Sequence, residues 1–242
     1  MRRLFCIRPR AGVEFKLNPS WKTYWRYPGD SGVAPVFDFA ASDNVKTVTV
    51  LWPAPVRFVD GGGTSIGYKD GVILPLRIVS QDESKPVTLR LNLDYAVCEK
   101  LCVPAKAKGE LVLSGATGPQ EIALKAAEAR VPRPAEWGDG PTLMLRKVWR
   151  DTASAKPRVL VDVATPSDTP VDLFAEGPTP DWALPLPEPV AIEDRGGALG
   201  AGIRRFAFEL DGLPPGAKSE GEAIKLTATA GQNAIEAVFR LD

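Results

Sequence analysis

Two cysteines, four positions apart, are the residues of this chain best suited to chemistry. Cys98 and Cys102 follow a strand-like stretch and are separated by the three residues 99–101. Residues that flank a three-residue hairpin loop bring their Cα atoms to about 5.5 Å, close to the usual separation in a disulfide. We therefore predict that the two cysteines lie within disulfide reach, on neighbouring strands or across their turn.

Such a pair has three uses. As a stabilising bridge it closes a very small loop, so its chain-entropy contribution falls at the low end of the usual range. This favours a redox role, in which one thiolate attacks a partner's disulfide and the second cysteine resolves the mixed disulfide. A structural disulfide, or copper(I) bound by two soft thiolates, remains an alternative. The spacing does not indicate which cysteine attacks.

The strand before the pair predicts the direction of Cys98. Its apolar residues alternate with polar ones and end at position 97; they are Val87, Leu89, Leu91, Leu93, Tyr95 and Val97. Successive side chains of a strand point to opposite faces. Cys98 is therefore expected to face away from the core, together with Arg90, Asn92 and Asp94, in an accessible disulfide.

The composition excludes several classes of function. The chain has no histidine, which rules out Ser-His-Asp and Cys-His catalysis and an HExxH zinc site. With Cys6 there are only three thiols, fewer than the four ligands of a structural zinc site. We expect neither a metal nor a cofactor. Thirty basic residues balance thirty acidic ones, so the chain has no net positive charge that would attract nucleic acid.

Strand patterns fill two parts of the chain, residues 11–118 and 142–242. The 22 glycines and 23 prolines, which follow no regular period, indicate many turns and short strands. Between them, residues 119–131 are rich in helix formers and end before Pro132, and we interpret residues 119–141 as a short helical linker. The sequence predicts an all-β protein of two β-sandwich domains.

No membrane span is expected, since no stretch approaches the roughly 20 apolar residues of a transmembrane helix. The apolar run from Leu4 to Ile7 is shorter than the roughly 7–15 residues of a signal peptide's core, so no export signal is visible. Strand-like sequence begins as early as Val13. Three interpretations stay open: a mis-assigned start, a removed leader, or a true cytosolic N-terminus.

Several motifs in the first half resemble a known family. They are Trp21-Lys22-Thr23-Tyr24-Trp25-Arg26-Tyr27-Pro28-Gly29-Asp30, Leu51-Trp52-Pro53-Ala54-Pro55, Gly67-Tyr68, Leu74-Pro75 and Asp94-Tyr95-x-x-Cys98-x-x-x-Cys102-x-Pro104. Residues 13–115 thereby resemble the N-terminal periplasmic domain of DsbD-type thiol:disulfide interchange proteins. The CxxxC spacing is shorter than in the first DsbD proteins and suits the branch with the copper-sensitivity ScsB proteins.

The resemblance implies a fold and a function. The family's domain is immunoglobulin-like, so we expect two immunoglobulin-like β-sandwich domains joined by the helical linker. Its cysteine pair passes electrons to thioredoxin-like periplasmic proteins or cytochrome c maturation factors, which implies a redox role for Cys98 and Cys102 in the periplasm. Because this chain lacks the family's membrane conduit, its reductant is expected from a separate membrane protein. The alternative is a non-catalytic extracytoplasmic binding module with a structural disulfide, which recognises a client protein or copper.

One departure from the family concerns protection of the disulfide. In the first DsbD proteins an aromatic cap loop shields the pair, whereas the matching stretch here, Asp60-Gly61-Gly62-Gly63-Thr64, has no aromatic ring. Either the disulfide is not shielded, or another segment shields it. The aromatic run 21–27 is expected mainly to pack in the core.

Overall fold

The computed structural model describes residues 10–60, 63–113, 119–152, 156–165, 169–191 and 202–241, with Asp60 described only in its backbone. The chain divides into two compact units at Val131 and Pro132. Nearly every element in either unit is a β-strand, which confirms the all-β prediction.

The described residues of the first unit form nine strands and one helix. They are β1 (Arg10–Lys16), β2 (Lys22–Gly29), β3 (Val36–Asp38), β4 (Val45–Val50), β5 (Val56–Asp60), β6 (Gly63–Lys69), β7 (Gly71–Ser80), β8 (Val87–Cys98), β9 (Cys102–Leu113) and α1 (Glu121–Ala129). One sheet has the order β1-β7-β4; the other has the order β3-β8-β2-β6-β5, with β9 also paired to β8. The predicted alternation supplies the core: Ala11, Leu76, Ile78, Val87 and Leu89 are buried together. The two antiparallel sheets form the expected immunoglobulin-like sandwich.

The helix α1 forms within the predicted range 119–131. Its buried residues, Leu124 and Ala127, lie on one face, and the helix packs against β7. At its exposed side, Arg10 of β1 forms ion pairs with Glu121 and Glu128. The helix is thus part of the first unit.

In the second unit, the described residues form a sandwich of two four-stranded sheets. Its strands are β10 (Arg133–Pro134), β11 (Met144–Asp151), β12 (Arg158–Ala164), β13 (Val171–Glu176), β14 (Glu188–Val190), β15 (Ile203–Glu209), β16 (Ala223–Ala230) and β17 (Asn233–Arg240). The sheet orders are β10-β17-β16-β13 and β11-β12-β15-β14. Across β12 and β15, the buried Asp162 accepts two hydrogen bonds from the Arg205 guanidinium, at 2.6 and 2.8 Å. These bonds raise the pKa of Arg205 above its ordinary value.

Some sequence features lie outside the described residues. These are Cys6 and two glycines of the stretch that matches the family's cap loop, Gly61 and Gly62. Within the described ranges, no helix is long and apolar enough to cross a membrane.

Candidate redox site

The two cysteines face each other at the end of a β-hairpin. Strand β8 ends at Cys98 and β9 begins at Cys102, and the two residues form the last pair of the ladder. Their sulfurs are joined in a disulfide, with the Cα atoms 4.2 Å apart. The predicted disulfide reach across a three-residue turn is confirmed.

The two halves of the disulfide differ in burial. Cys102 is exposed, whereas Cys98 is only 2% exposed and belongs to a buried cluster with Tyr24, Phe58 and Ala96. The expectation that Cys98 faces solvent is therefore wrong. The alternation of β8 does place Cys98 on the face opposite Leu93. At this end of the strand, however, the side chains of Tyr24 and Phe58 cover that face as well.

The hydroxyl of Tyr24 contacts both sulfurs. In the pairing of β2 with β8, Lys22 lies opposite Cys98, so Tyr24, two residues further on, shares the face of the disulfide. Its oxygen lies 2.9 Å from Sγ of Cys98 and 3.1 Å from Sγ of Cys102. A phenolic O–H in this position can donate a hydrogen bond to whichever sulfur carries negative charge.

Close backbone packing holds Tyr24 in place. Strand β6 pairs with the other edge of β2, where Gly67 lies opposite Tyr24. A Cβ atom on Gly67 would overlap the carbonyl oxygen of Thr23. The Thr23 hydroxyl in turn donates to the carbonyl of Ala96, at 3.0 Å, and ties β2 to β8 beside Cys98. A Gly-Tyr motif in the sequence therefore marks a close strand contact.

Phe58 and two lysines complete the site. Phe58 lies on β5, two residues before the glycine-rich stretch that matches the family's cap loop, and packs in the cluster of Cys98. Nζ of Lys22 and Nζ of Lys69 lie 4.7 and 5.5 Å from its ring centroid. The side chains of Phe58 and Tyr24 therefore pack around Cys98, and the ammonium groups of the two lysines lie beside the Phe58 ring.

Sequence reasoning singled out the cysteines but missed Lys22, Tyr24, Phe58 and Lys69 as parts of their environment. The sequence carries one signal for this environment, the adjacent aromatic residues Tyr24 and Trp25. Neighbouring residues of a strand point to opposite faces, so two large apolar side chains in a row indicate a strand that is covered on both faces. In the structure both side chains are buried.

The fold and this site together define a class of protein: an immunoglobulin-like β-sandwich with a partly exposed disulfide at the end of a hairpin. Residues 8–114 match the family model described as "Thiol:disulfide interchange protein DsbD, N-terminal". The first unit is therefore similar to the N-terminal domain of DsbD-type thiol:disulfide interchange proteins, as the sequence resemblance implied.

Two solved structures resemble the chain. The N-terminal periplasmic domain of ScsB from Proteus mirabilis is 20% identical, with a TM-score of 0.71, and the alignment covers 96% of this chain and 87% of that one. This similarity shows a shared fold across both units. An endo-fucoidan hydrolase of glycoside hydrolase family 107 is 14% identical over 93% of this chain and 29% of that one. Its TM-score of 0.21 does not indicate a shared fold. No curated protein matches the sequence significantly.

Proposed function

We propose that the first unit relays electrons in the periplasm by exchanging its disulfide with thioredoxin-like partner proteins. The observation that carries this proposal is the unequal exposure of the pair. Cys102 is exposed and Cys98 is 2% exposed, so a partner's thiolate can approach one sulfur only. Cys102 is therefore the sulfur that forms the mixed disulfide.

The exchange proceeds in two steps. A partner thiolate attacks Sγ of Cys102, the bond between Cys102 and Cys98 breaks, and Cys98 leaves as a thiolate. That thiolate is then protonated. The partner's second thiolate attacks the partner's own first sulfur in the mixed disulfide, Cys102 leaves as a thiolate and is protonated, and the partner leaves oxidised. Two electrons and two protons pass to the pair. In the reverse direction Cys102 attacks an acceptor's disulfide, and Cys98 attacks Sγ of Cys102 to release the reduced acceptor.

In this cycle the Tyr24 hydroxyl stabilises the leaving sulfur, Sγ of Cys98. The charge that develops on Cys98 in the first step lies in a buried cluster, where an unpaired thiolate is costly. The Tyr24 hydroxyl is already 2.9 Å from that sulfur and can donate to it without moving. Lys22, directly across from Cys98 in the strand pairing, adds positive charge on the same face.

The proposed compartment and partners rest on the similarity of the first unit to the DsbD N-terminal domain. The matching family is one of thiol:disulfide interchange proteins, and the similar ScsB domain is periplasmic. We assign exchange to residues 11–118 and a second β-sandwich to 142–242. Residues 119–141 connect the two and contain α1, which packs on β7, and β10, which pairs with β17. The reductant comes from a separate membrane electron conduit, and the acceptors are thioredoxin-like proteins, including those of cytochrome c biogenesis. The chain would then act as a protein-disulfide reductase.

Equilibration of the full chain in glutathione buffers tests this proposal. Thioredoxin-like exchange proteins have reduction potentials from about −270 to −120 mV, whereas structural disulfides lie below about −300 mV. We expect a potential within the first range, measured from the fraction of alkylated cysteines. A potential below the second limit would instead support a binding module with a structural disulfide.

A further inference from the structure

The inward apolar face of the β8–β9 hairpin is only partly covered. Alternation places Leu91, Tyr95 and Val97 of β8 on the face that packs against the other sheet, yet none of the three is fully buried. The face continues onto β9, where Leu111, paired with Leu89, is 49% exposed. In the described part of the chain, the opposing sheet has three strands and ends at β1. It therefore leaves the inward face of β9 open.

An open cleft of about 640 Å³ lies between β1 and this face. Ala11 and Leu111 line one end, and Trp21 lines the other. The cleft follows β1 from Ala11 to Leu17, and six residues of extended chain span about 20 Å. Its volume falls within the roughly 300–1,000 Å³ of small-molecule sites. The shape suits a long, narrow ligand.

Small residues on β9 keep the cleft open. Ala107 and Gly109 lie opposite Leu93 and Leu91 in the strand pairing, so they share the inward face. A Cβ atom on Gly109 would meet no described atom within 4 Å. The space in front of Leu91 is therefore empty of protein, while its walls are apolar.

The lining indicates an apolar ligand. In the described part of the chain, the charged residues that line the cleft sum to zero; they are Glu14, Lys16, Lys108 and Glu110. Contact with the apolar walls, rather than a net charge, must then supply the affinity. An added β-strand is a poor occupant, because the edge strand β9 carries Pro104, Lys106 and Lys108, residue types that discourage strand addition.

We propose that this cleft binds the alkyl chain of an amphiphile, such as a fatty acid, along β1 with the head group in solvent. One extended chain matches the length of the cleft and its apolar walls. The cleft lies on the face of β8 that carries Val97, opposite the face of Cys98. The proposal therefore does not rest on disulfide exchange.

The test is titration calorimetry of the full chain with octanoate, decanoate and dodecanoate, each below its critical micelle concentration. We expect saturable binding of one chain per protein. The association constant should rise about fourfold for each added methylene group, equivalent to about 0.8 kcal/mol. Acetate carries the same carboxylate without the chain and should not bind.

Two leucine substitutions on β9 locate the site. Gly109→Leu places a side chain inside the cleft and should weaken dodecanoate binding about tenfold or more, since it displaces at least two methylene groups of the ligand. The matched control is Lys106→Leu, which adds the same side chain on the opposite face of β9, outside the cleft. It should leave the affinity within about twofold, a change too small for a lost alkyl contact.

A second variant guards against misfolding. If circular dichroism shows that Gly109→Leu is unfolded, Ala107→Leu fills the same cleft from the position opposite Leu93 and should weaken binding in the same way.

Three results would overturn the proposal. They are the absence of saturable binding, an affinity independent of chain length, and equal dodecanoate affinity in a folded cleft-filling variant and the unsubstituted protein. Gel filtration identifies one other occupant: a dimer that Gly109→Leu dissociates, without carboxylate binding, would assign the cleft to a second copy of this chain.

Discussion

Substitution of Tyr24 by phenylalanine isolates the contribution of one hydroxyl to disulfide exchange. This oxygen lies 2.9 Å from Sγ of Cys98 and 3.1 Å from Sγ of Cys102, and the ring around it is buried. A hydrogen bond to a charged group contributes about 1.5–3 kcal/mol. In the intact disulfide the sulfurs are neutral and weak acceptors. Most of that energy therefore appears only when Cys98 leaves as a thiolate.

The expected effect on rate follows from these values. Each 1.36 kcal/mol lost from the transition state slows a reaction about tenfold. Because one hydroxyl is shared between two sulfurs, we take the lower end of the range and expect Tyr24→Phe to slow reduction by dithiothreitol about tenfold. The assay is stopped-flow reduction under excess dithiothreitol at neutral pH, with the disulfide quantified by alkylation and mass spectrometry.

The same sheet provides a matched control. Tyr68 on β6 is also buried, and its hydroxyl donates to the carbonyl of Pro53, at 2.8 Å, rather than to a sulfur. Tyr68→Phe should lower the free energy of unfolding by about 1–3 kcal/mol, because it leaves that carbonyl unpaired, and should leave the reduction rate unchanged. Equal reduction rates for Tyr24→Phe and the unsubstituted protein would refute the role of Tyr24. Equal slowing in both variants would point to a loss of stability instead.

Three further outcomes follow from other contacts. Gly67→Ala should destabilise the protein by about 1–3 kcal/mol in urea unfolding, since its methyl group overlaps the backbone of the neighbouring strand; a neutral effect would contradict that packing. Arg205→Met should lower the free energy of unfolding by about 3 kcal/mol, because it removes the guanidinium that pairs with the buried Asp162 carboxylate, and should not change the exchange rate. In the reduced protein, iodoacetamide should modify Cys102 about tenfold faster than Cys98, as a thiol must be accessible to react; equal rates would contradict the unequal burial.

Local sequence patterns were sufficient for much of the fold. Alternating apolar residues predicted strands such as β8 and β17, because each has one face in the core, and helix formers before Pro132 predicted α1. The hairpin at the cysteines followed from their spacing. These features depend on residues close together in the chain, so a single sequence carries them.

The environment of the disulfide depends on residues far apart in the chain. Cys98 is covered by Tyr24 and Phe58, which precede it by 74 and 40 positions and reach it through pairings of β2 with β8 and of β5 with β6. Alternation within β8 tells which residues share a face but not what lies over that face. The burial of Cys98, and with it the distinction between the two sulfurs, could not be predicted from the pattern of one strand.

The most direct test of the relay is a comparison of the two single cysteine variants, Cys98→Ser and Cys102→Ser, during exchange with a thioredoxin that keeps only its attacking cysteine, activated as a mixed disulfide with thionitrobenzoate. In Cys98→Ser the exposed Cys102 attacks the probe's cysteine sulfur and displaces thionitrobenzoate. Neither protein then has a second active-site thiol to break the new bond, so a mixed disulfide should accumulate on non-reducing gels. In Cys102→Ser the remaining thiol is buried, and little adduct should form. Accumulation in neither variant, or equally in both, would contradict the assignment of Cys102 as the attacking sulfur and Cys98 as the resolving one.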